Sequence, residues 1–293
     1  MSFNNNERDK FYIEKINEVK KLIKEADAIV VGIGAGMSAS GGINYGDSEL
    51  VKRWFPEYYA KGFRGLMEIQ SVFWNLSDKN VLGYWGYWAR HIDYIRYKSE
   101  LLEPYKNLYK VLEDKNYFIC TTNADGQVQK AGFSKDKIFA PQGNYDSFQC
   151  IIPCNHEEIF YNKTMIENMV KSINDKYEIE SDTIPRCPNC GEYLIPNLRC
   201  DDKFVEKPHM RTIKAYEDFI NDNIDKNILF IELGVGFNTP VIIRYPFERI
   251  TYNARKAKLI RVNKGMAEVP REIADKSIAL DFDISEVIKD IMK

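Results

Sequence analysis

Short apolar runs separated by longer amphipathic segments set the pattern along the chain. Apolar residues recur at helical spacing from Tyr12 to Ile23, which predicts an amphipathic helix over residues 10–26. Short, mainly apolar runs predict buried strands at residues 28–33, 117–121, 138–140, 228–233 and 259–262. Buried strands that alternate with helix-length segments are typical of an open, mostly parallel α/β sheet, so we expect a Rossmann-like fold.

Two long segments interrupt this alternation. Residues 47–114 are rich in aromatic side chains and poor in strand signals, which predicts a helical module with aromatic packing between its helices. Residues 145–214 contain most of the cysteines and are predicted to form a small metal-binding module. We therefore expect a discontinuous Rossmann-like domain, formed by residues 1–46, 115–144 and 215–293, with both modules inserted into it.

The composition is that of a folded protein without a strong charge. The 293 residues are 44% hydrophobic and 29% charged, and 41 basic against 43 acidic residues give a formal charge of −2. This balance argues against nucleic-acid binding and against a polybasic membrane surface. The N-terminal run 1–8 lacks the apolar core of a signal peptide, and the apolar stretches are too short to span a bilayer. We expect a cytoplasmic protein with reduced cysteines.

Four cysteines occur in two pairs with the spacing of metal ligands. Cys150 and Cys154 form the first pair, and Cys187 and Cys190 form the second. Two such pairs converge on a tetrahedral Zn²⁺ with thiolate ligands, which is a closed structural site without an open position for chemistry. Four unrelated buried thiols are the alternative. The spacing predicts a structural zinc ion in the second module.

A glycine-rich turn follows the first predicted strand. It is expected to open a helix, so that its backbone approaches a pyrophosphate group while free N–H groups at the helix start meet the phosphate charge. No Gly-Lys-Ser/Thr follows, which excludes a Walker loop. A turn required only for close helix–strand packing is the alternative. The candidate binding residues here are Gly34, Ala35, Gly36, Ser40 and Gly41.

A second polar cluster follows the predicted strand at 117–121. Thr122, Asn123 and Asp125 come directly after it, and the carboxyl ends of parallel strands form the ligand crevice in such sheets. The alternative is a local turn, in which Asn and Asp side chains satisfy nearby backbone groups. Together with the glycine loop, the cluster predicts a single nucleotide site.

These motifs resemble those of the sirtuin family. The run Gly-Ala-Gly-Met-Ser at 34–38, followed by Gly42-Ile43, resembles the sirtuin NAD loop. The pattern Thr-x-Asn-x-Asp-Gly-x-x-Gln-x-Ala-Gly at 121–132 is similar to the family's second motif. Gly143-Asn144, the cysteine pairs, Gly234-x-Gly236 and Asn263 follow in the sirtuin order. The resemblance covers about residues 25 to 290 and implies NAD as co-substrate and a zinc ribbon.

The resemblance also assigns residues to the two halves of NAD. It implies that Asn123 and Asp125 hold the nicotinamide carboxamide and the ribose while the bond between them breaks. It places Gly234, Gly236 and Asn263 near the adenosine half and Asp281 beside the adenine. Ordinary turns and helix caps are the alternative for these last four residues.

Three features depart from a sirtuin deacylase. Gln142 occupies the position of the histidine general base, and a glutamine amide does not titrate near neutral pH. The chain's histidines, His91, His156 and His209, lie outside the matched motifs. The stretch 197–202 is polar where a deacylase lines its acyl-lysine tunnel, and residues 44–47 read Asn-Tyr-Gly-Asp where many sirtuins have Pro-Asp-Phe-Arg.

With these departures the chain resembles the macrodomain-linked (class M) microbial sirtuins. That resemblance implies an NAD-dependent protein ADP-ribosyltransferase, with Gln142, Asn123 and Asp125 as catalytic residues. It further implies a lipoylated carrier protein as acceptor and a macrodomain hydrolase as partner. A deacylase with an altered acyl pocket is the main alternative, and an NADase or an NAD-binding sensor is a third.

Overall fold

The structure, a computed structural model, describes residues 5–293, with side chains from Lys10 onward. Residues 1–4 lie outside the described residues, and with them part of the N-terminal run used to argue against a signal peptide. The strands are β1 (Ala28–Ile33), β2 (Tyr117–Thr121), β3 (Ile138–Phe139), β4 (Gly143–Cys150), β5 (Phe160–Tyr161), β6 (Leu194–Leu198), β7 (Ile228–Leu233), β8 (Lys258–Val262) and β9 (Ser277–Leu280).

Helices connect these strands and cover the sheet. They are α1 (Asn5–Glu25), α2 (Ala35–Ser40), α3 (Ser48–Trp54), α4 (Pro56–Ala60), α5 (Leu66–Val72), α6 (Val81–Ile92), α7 (Glu103–Leu112), α8 (Gln127–Lys130), α9 (Lys163–Lys171), α10 (Ile213–Asn221), α11 (Arg244–Asn253) and α12 (Ile284–Met292). A π-helix spans Asp93–Lys98, and short 3₁₀ turns lie at Lys135–Lys137, Ser181–Thr183, His209–Thr212 and Arg271–Lys276.

The main sheet is parallel and has the order β3-β2-β1-β7-β8-β9 in the described chain. Every residue of β1, β2 and β7 is buried because helices cover both faces. Ile29 and Val31 pack in the core with α1, α7 and α12, whereas Ala28 and Val30 pack in the core with α10 and α11. The prediction of an open parallel α/β sheet is confirmed, and each of the five predicted strands is present.

The strand order reverses at β1. Its neighbour on one side is β2, and its neighbour on the other is β7, the seventh strand along the chain. At such a switch point the loops leaving adjacent strands diverge and open a crevice at the carboxyl edge of the sheet. The glycine turn follows β1, the polar cluster at 122–125 follows β2, and Gly234 follows β7. The fold therefore brings these three motifs to the same edge.

The segment 47–114 folds into α3 to α7 around an aromatic core. Phe55, Trp85 and Trp88 are almost completely buried in it, as expected for packing between helices, whereas Trp74 remains 45% exposed. At its end α6 continues into the π-helix. Such helices are uncommon and often occur near functional sites, and this one carries Arg96 towards the crevice.

The cysteine-rich segment forms a small antiparallel sheet with the order β5-β4-β6. Neither this sheet nor β9, at the edge of the main sheet, was predicted from the sequence. Strand β4 begins at Gly143, immediately after Gln142. The small sheet is therefore joined directly to the residue that departs most clearly from a deacylase.

Candidate active site

Three glycines bring two loops into backbone contact at the carboxyl ends of β1 and β7. The Gly36 N–H donates to the Gly234 carbonyl, and the Gly34 N–H donates to the Leu233 carbonyl, both at 3.0 Å. A Cβ atom on Gly34 would lie 2.5 Å from the Gly234 oxygen, and one on Gly36 would lie 2.7 Å from the Gly234 Cα. Gly234 has a left-handed φ of +64°. Only glycine permits this approach, which leaves Ala35 exposed at the start of α2.

A chain of side-chain hydrogen bonds joins α2, α7 and the loop after β2. The Asn123 Nδ2 group donates to the Gly34 carbonyl and to the Tyr105 hydroxyl, both at 2.9 Å. The Tyr105 hydroxyl lies 2.7 Å from Ser38 Oγ, which lies 2.5 Å from Asp125 Oδ2. An ionised carboxylate only accepts, and a serine hydroxyl has one hydrogen to give. Ser38 therefore donates to Asp125, Tyr105 donates to Ser38, and Asn123 donates to Tyr105.

This chain fixes the orientation of the Asn123 amide. Both N–H hydrogens of Asn123 are engaged by Gly34 and Tyr105, and its nitrogen also lies 3.2 Å from Ser38 Oγ. The amide oxygen accepts no hydrogen bond from the rest of the described chain. Asn123 thus offers an oriented acceptor at the crevice.

Asp125 is a buried carboxyl group, 7% exposed. Burial raises its pKa, while the Ser38 hydroxyl, the Gln127 N–H at 2.9 Å and the positive charges of Arg96 and Lys130 act in the opposite direction. The donors and cations around it therefore support a charge that burial alone would suppress.

Arg96 reaches this loop from the π-helix. Its Nη2 donates to Asp146 Oδ2 at 2.6 Å and so links the helical module to β4. A Cβ atom on Gly126, which has a φ of +74°, would lie 1.2 Å from Arg96 Nη1. Glycine is therefore required at 126 to admit the guanidinium group. Arg96 Nη1 is itself buried without a hydrogen-bond partner in the described chain.

Gln142 lies half-buried beside the same loop. Its carbonyl accepts from the Arg199 N–H at 3.0 Å, and the Tyr145 N–H donates to the Ala124 carbonyl at 3.0 Å, which holds the start of β4 against residues 123–125. The Gln142 side-chain amide has no hydrogen-bond partner within residues 10–293. Next to it, Asn144 Oδ1 is buried and also without a partner among the described residues. Two uncommitted amide groups thus adjoin the crevice.

The polar stretch after β6 lies directly against Gln142. Arg199 donates through its backbone to Gln142 and through Nε to the Pro141 carbonyl at 3.2 Å, and its guanidinium group pairs with Glu206. Asn197 is fully buried and its Nδ2 donates to Gln149 Oε1 at 2.8 Å. The segment from Asn197 at the end of β6 to Glu206, which contacts the Gln142 backbone, is therefore polar and internally hydrogen-bonded.

The histidines offer no replacement for the missing base. His91 is buried among the hydroxyl groups of three tyrosines, and burial lowers its pKa to about 3. His209 is hydrogen-bonded to Asn197 and stacks on Phe204. His156 is exposed in the cysteine-rich module. His91 therefore stays neutral near pH 7, and His209 is committed to holding the segment after β6.

The residues predicted at the adenosine half lie on neighbouring loops at the same edge of the sheet. Asn263 Nδ2 donates to the Val235 carbonyl at 3.0 Å, and Asp281 Oδ1 accepts from the Gly265 N–H at 2.6 Å. Gly236 is half-buried in the loop after β7. The fold thus brings these predicted residues together with Gly234, although the contacts it gives Asn263 and Asp281 are those of loop stabilisation.

Three further predicted residues make structural contacts. The Thr122 N–H donates to the Ile33 carbonyl at 3.0 Å, which continues the pairing of β1 and β2. The Ser40 hydroxyl donates to Met37 within its own helix at 2.8 Å. A Cβ atom on Gly41 would lie 2.9 Å from the Leu102 Cβ, so glycine allows α7 to pack closely there.

Several site residues were not predicted from the sequence. Ser38 stands in the Gly-Ala-Gly-Met-Ser run, so the motif itself contained the signal. Tyr105 and Arg96 come from the helical module, and nothing in their local sequence indicates that they reach the crevice. Asn144 was identified only as a member of the family pattern.

The four paired cysteines form a compact cluster. Cys150 Sγ lies 3.5 Å from Cys190 Sγ, Cys154 Sγ lies 3.6 Å from Cys187 Sγ, and all four sulfur atoms lie within 4.8 Å of one another. Four thiolates at the usual Zn–S length of about 2.3 Å from a tetrahedral zinc ion would be about 3.8 Å apart. The donor set and its spacing therefore fit a structural zinc ion, as predicted.

Solved sirtuin structures share this fold. Sir2Tm bound to a propionylated peptide matches with a TM-score of 0.56 and 21% identity, over 95% of this chain and 97% of that one. A complex of Sir2 with a p53 peptide and NAD⁺ matches with a TM-score of 0.55 and 20% identity, over 94% and 97%. No protein-family model matches the chain. The fold and the arrangement of its motifs are those of a sirtuin.

Two curated relatives identify the family more closely. A protein ADP-ribosyltransferase of Staphylococcus aureus (strain Mu50 / ATCC 700699) is 32% identical over 272 residues, covering 92% of this chain and 84% of its own. A probable bifunctional ADP-ribose hydrolase/ADP-ribosyltransferase of Fusarium oxysporum f. sp. cubense is 29% identical over 269 residues, covering 89% of this chain but only 44% of its own. The chain belongs to the protein ADP-ribosyltransferases, in their sirtuin-type branch.

This membership confirms the predicted enzyme class, an NAD-dependent transferase of sirtuin type, and with it NAD as co-substrate. A protein as substrate agrees with the family and with the peptide complexes of the sirtuin neighbours. In the described part of the chain no helix is both long and apolar enough to cross a membrane.

Proposed function

We propose that this chain breaks the nicotinamide–ribose bond of NAD and transfers ADP-ribose to a protein acceptor, with Asn123, Asp125 and Gln142 as catalytic residues. The observation that carries the proposal is the one-directional hydrogen-bond chain ending on Asp125, beside an amide that cannot titrate. The NAD-binding residues in this proposal are Gly34, Ala35, Gly36, Ser40, Gly41, Thr122, Asn123, Asp125, Gln142, Gly234, Gly236, Asn263 and Asp281.

Asn123 and Asp125 would act on the leaving group and the ribose. When the C–N bond breaks, nicotinamide leaves with the electron pair and the ribose carbon becomes electron-poor. The oriented Asn123 oxygen suits the carboxamide of nicotinamide, and the Asp125 carboxylate provides negative charge where positive charge develops. Fixed groups of this kind typically contribute ~10² to 10³ in rate.

Gln142 would position the acceptor or a ribose hydroxyl by hydrogen bonding. In ADP-ribosyl transfer the nucleophile of the acceptor attacks the ribose carbon and loses its own proton, so orientation is needed more than a strong base. A deacylase instead requires a base to activate a ribose hydroxyl, and removing such a base usually costs ~10² to 10⁴ in rate. The uncommitted Gln142 amide supports the transferase over the deacylase.

The surroundings of Gln142 support the same choice. An acyl chain next to Arg199 and Glu206 would face a solvated ion pair, with side chains 37% and 53% exposed, and would gain little from apolar burial. A protein acceptor with a polar attachment site does not need an apolar lining.

For the acceptor we propose a lipoylated carrier protein, as the class M resemblance implies. We also propose a macrodomain hydrolase that removes the modification. The name of the Fusarium relative, which combines an ADP-ribose hydrolase with an ADP-ribosyltransferase, supports a functional link between the two activities. A cytoplasmic location belongs to the same proposal, since four thiols held for zinc favour a reducing compartment.

An incubation with NAD labelled in the adenylate half tests the proposal. Label transferred to a lipoylated carrier, with one nicotinamide released for each ADP-ribose bound, is the expected result. Acyl-ADP-ribose formed from an acylated peptide would establish the deacylase instead. Free ADP-ribose without acceptor dependence would indicate an NADase, and the absence of nicotinamide release would indicate a sensor.

Two variants separate the catalytic residues in that assay. Asn123→Ala is expected to abolish nicotinamide release, because both the oriented oxygen and its support are lost. Gln142→Ala is expected to reduce transfer by ~10² or more while zinc content and thermal stability persist, an effect on the scale of losing one positioned donor. Unchanged transfer by Gln142→Ala would remove that residue from the mechanism. Asn75→Ala, outside the crevice, serves as the amide control.

A further inference from the structure

Four charged side chains form a buried cluster between the main sheet and α11. Glu232 on β7 and Arg261 on β8 are paired residues of adjacent strands, and neither is exposed to solvent. Arg261 binds the Glu232 carboxylate through Nε at 2.8 Å and through Nη2 at 2.9 Å. Arg244 at the start of α11 and Glu248 one turn later complete the cluster. Two positive and two negative groups make it neutral overall.

Stability alone is a weak reason for such a cluster. Removing charges from water costs several kcal/mol each, and apolar side chains of similar size often serve a protein core as well or better. The distinguishing feature is where the remaining guanidinium hydrogens go. Apart from one bond from Arg261 Nη2 to Glu248 at 2.8 Å, they are donated to backbone carbonyls of the loops after β7 and β8.

Arg244 connects these two loops directly. Its Nη1 donates to the Val235 carbonyl at 3.4 Å and to the Met266 carbonyl at 3.3 Å, and its Nη2 donates to the Glu268 carbonyl at 2.9 Å. Arg261 adds a bond to the same Glu268 carbonyl at 2.6 Å. The planar guanidinium group of Arg244 therefore sets the separation of residues 235 and 266–268.

The loop after β7 is also the one that touches the glycine turn. Val235 follows Gly234, whose carbonyl accepts from Gly36, and the Val235 carbonyl accepts from Asn263 as well. A shift of Val235 would therefore move the contact with the phosphate-binding turn and the Asn263 side chain together. Both belong to the part of the crevice assigned to the ADP-ribose half of NAD.

We propose that Arg244, paired with the carboxylates of Glu232 and Glu248, is a positioning residue that sets the spacing of the loops after β7 and β8 and so the affinity of the crevice for ADP-ribose. The inference rests on the proposed function, because it assumes that NAD occupies this crevice. It assigns Arg244 no contact with the reacting atoms.

The test compares variants that separate charge from hydrogen bonding. Arg244→Lys keeps the positive charge, but a single ammonium group cannot reach three carbonyls in a plane. The double variant R244M/E248Q removes one charge of each sign, so the cluster stays neutral while the bonds to the loops are lost. Arg249→Lys, on the exposed face of the same helix, is the control. ADP-ribose binding is measured by calorimetry, and NAD turnover by nicotinamide release.

We expect both Arg244 variants to bind ADP-ribose about tenfold more weakly and to raise KM for NAD by a similar factor, with kcat within about twofold, as for loss of uniform binding. Arg249→Lys should match the wild type. Thermal unfolding confirms that each variant remains folded, and the double variant decides if Arg244→Lys unfolds.

Three results would overturn the inference. Wild-type affinity in both Arg244 variants would show that the loops do not need this support. Recovery of affinity in R244M/E248Q alone would show that charge balance, and not the bonds to the carbonyls, matters. If the wild-type protein binds neither ADP-ribose nor NAD, the proposed function fails and the inference fails with it, an outcome distinct from the other two.

Discussion

The orientation of one amide group is the central feature at the scale of single residues. Asn123 has no freedom to exchange its oxygen and nitrogen, because its nitrogen faces the Gly34 carbonyl and the Tyr105 hydroxyl, which itself must donate to Ser38. That direction is set at both ends of the chain, by the Gly34 carbonyl, which only accepts, and by the Asp125 carboxylate. The position of the Asn123 amide therefore depends on the hydroxyl groups between these two acceptors.

Tyr105→Phe tests this dependence. The ring stays packed, but the hydroxyl that accepts from Asn123 and donates to Ser38 is removed. One net hydrogen bond contributes about 1 kcal/mol, so we expect nicotinamide release to slow by roughly fivefold to tenfold while the fold persists. Tyr109→Phe on the same helix is the matched control, since its ring packs on Phe133 away from the chain. Equal rates for the two variants would contradict the oriented-amide account.

Asp125 predicts a pH dependence of both stability and activity. Burial raises the folded-state pKa of Asp125 above the ordinary value of 3.8, so protonation of Asp125 stabilises the folded protein. This contribution to the unfolding free energy is complete below pH 3.8 and is lost as pH rises through the folded-state pKa. Relative to Asp125→Asn, the wild-type unfolding free energy should therefore fall over this window and then level off. Urea unfolding at a series of pH values measures the difference.

Activity should change in the opposite sense. As pH falls through the raised pKa, Asp125 gains a proton and loses the negative charge that would stabilise the electron-poor ribose, so kcat/KM for NAD should fall. The acid limb of the kcat/KM profile should lie above 3.8 and disappear in Asp125→Asn, which should be slow at all pH values. A profile without an acid limb above 3.8 would contradict this assignment.

Sequence patterns identified part of this residue-scale arrangement. Asn123 and Asp125 were predicted because they directly follow a strand whose carboxyl end must lie at the crevice. Tyr105 and Arg96 were not predicted, since each reaches the site from the inserted helical module through long-range packing. Such contacts depend on how a module docks, and local periodicity contains no information about docking.

At the scale of elements, the close approach of the loops after β1 and β7 determines the shape of the crevice. Gly34, Gly36 and Gly234 are in contact through backbone atoms alone. Any side chain at these positions would push the two loops apart and move the start of α2. The shape of the crevice thus requires glycine at all three positions.

Gly234→Ala should therefore destabilise the protein. Its φ of +64° is unfavourable for alanine, and the new Cβ would lie 2.5 Å from Gly36 backbone atoms. A left-handed non-glycine residue costs about 1–3 kcal/mol, and the clash adds to that cost. Gly236→Ala is the control, since its nearest contact, Met266 Cε at 3.9 Å, is ordinary. Urea unfolding should show a loss only for Gly234→Ala, and equal stability of both variants would refute the close-contact account.

The strands differ in how clearly the hydrophobic pattern of the sequence predicted them. β1, β2 and β7 are buried on both faces and therefore appear as continuous apolar runs. Only the first half of β4 alternates between buried and half-buried positions, and the strand contains Asn144, Asp146 and Gln149, so no apolar run marks it. β9 is a four-residue edge strand that also alternates. Periodicity found five strands of the main sheet, including the edge strand β3, and missed the other edge strand β9 and the small sheet.

At the scale of the whole molecule, β4 couples the metal-binding module to the candidate active site. The strand begins one residue after Gln142 and ends at Cys150, a ligand of the predicted zinc site. β6 pairs with both ends of β4, at Gly143 and at Cys150. The position of Gln142 therefore depends on the integrity of the small sheet. The boundaries of the predicted domains, 1–46, 115–144 and 215–293 with modules 47–114 and 145–214, remain a prediction.

Removal of zinc should strongly reduce ADP-ribose transfer without unfolding the main sheet. Metal binding energy stabilises a small module of this kind, so a chelator should loosen β4 to β6 and release Gln142 from its position. We expect transfer to fall at least ~10²-fold, on the scale of a lost catalytic donor. Most of the helical circular dichroism signal should persist. Cys187→Ser should behave like the chelated protein, whereas Cys200→Ser, outside the cluster, should keep one zinc ion and full activity. Full activity in zinc-free protein would contradict the dependence of Gln142 on the zinc site.

The hydrogen-bond chain has one more consequence, which concerns entropy. Hydroxyl groups of Ser and Tyr normally rotate among several hydrogen-bond partners, and that freedom is lost when a ligand arrives. Here the Ser38 and Tyr105 hydroxyls have a single arrangement that satisfies every partner from Asn123 to Asp125. Their rotational freedom is already lost to the protein's own hydrogen bonds, so binding of the dinucleotide does not have to remove it.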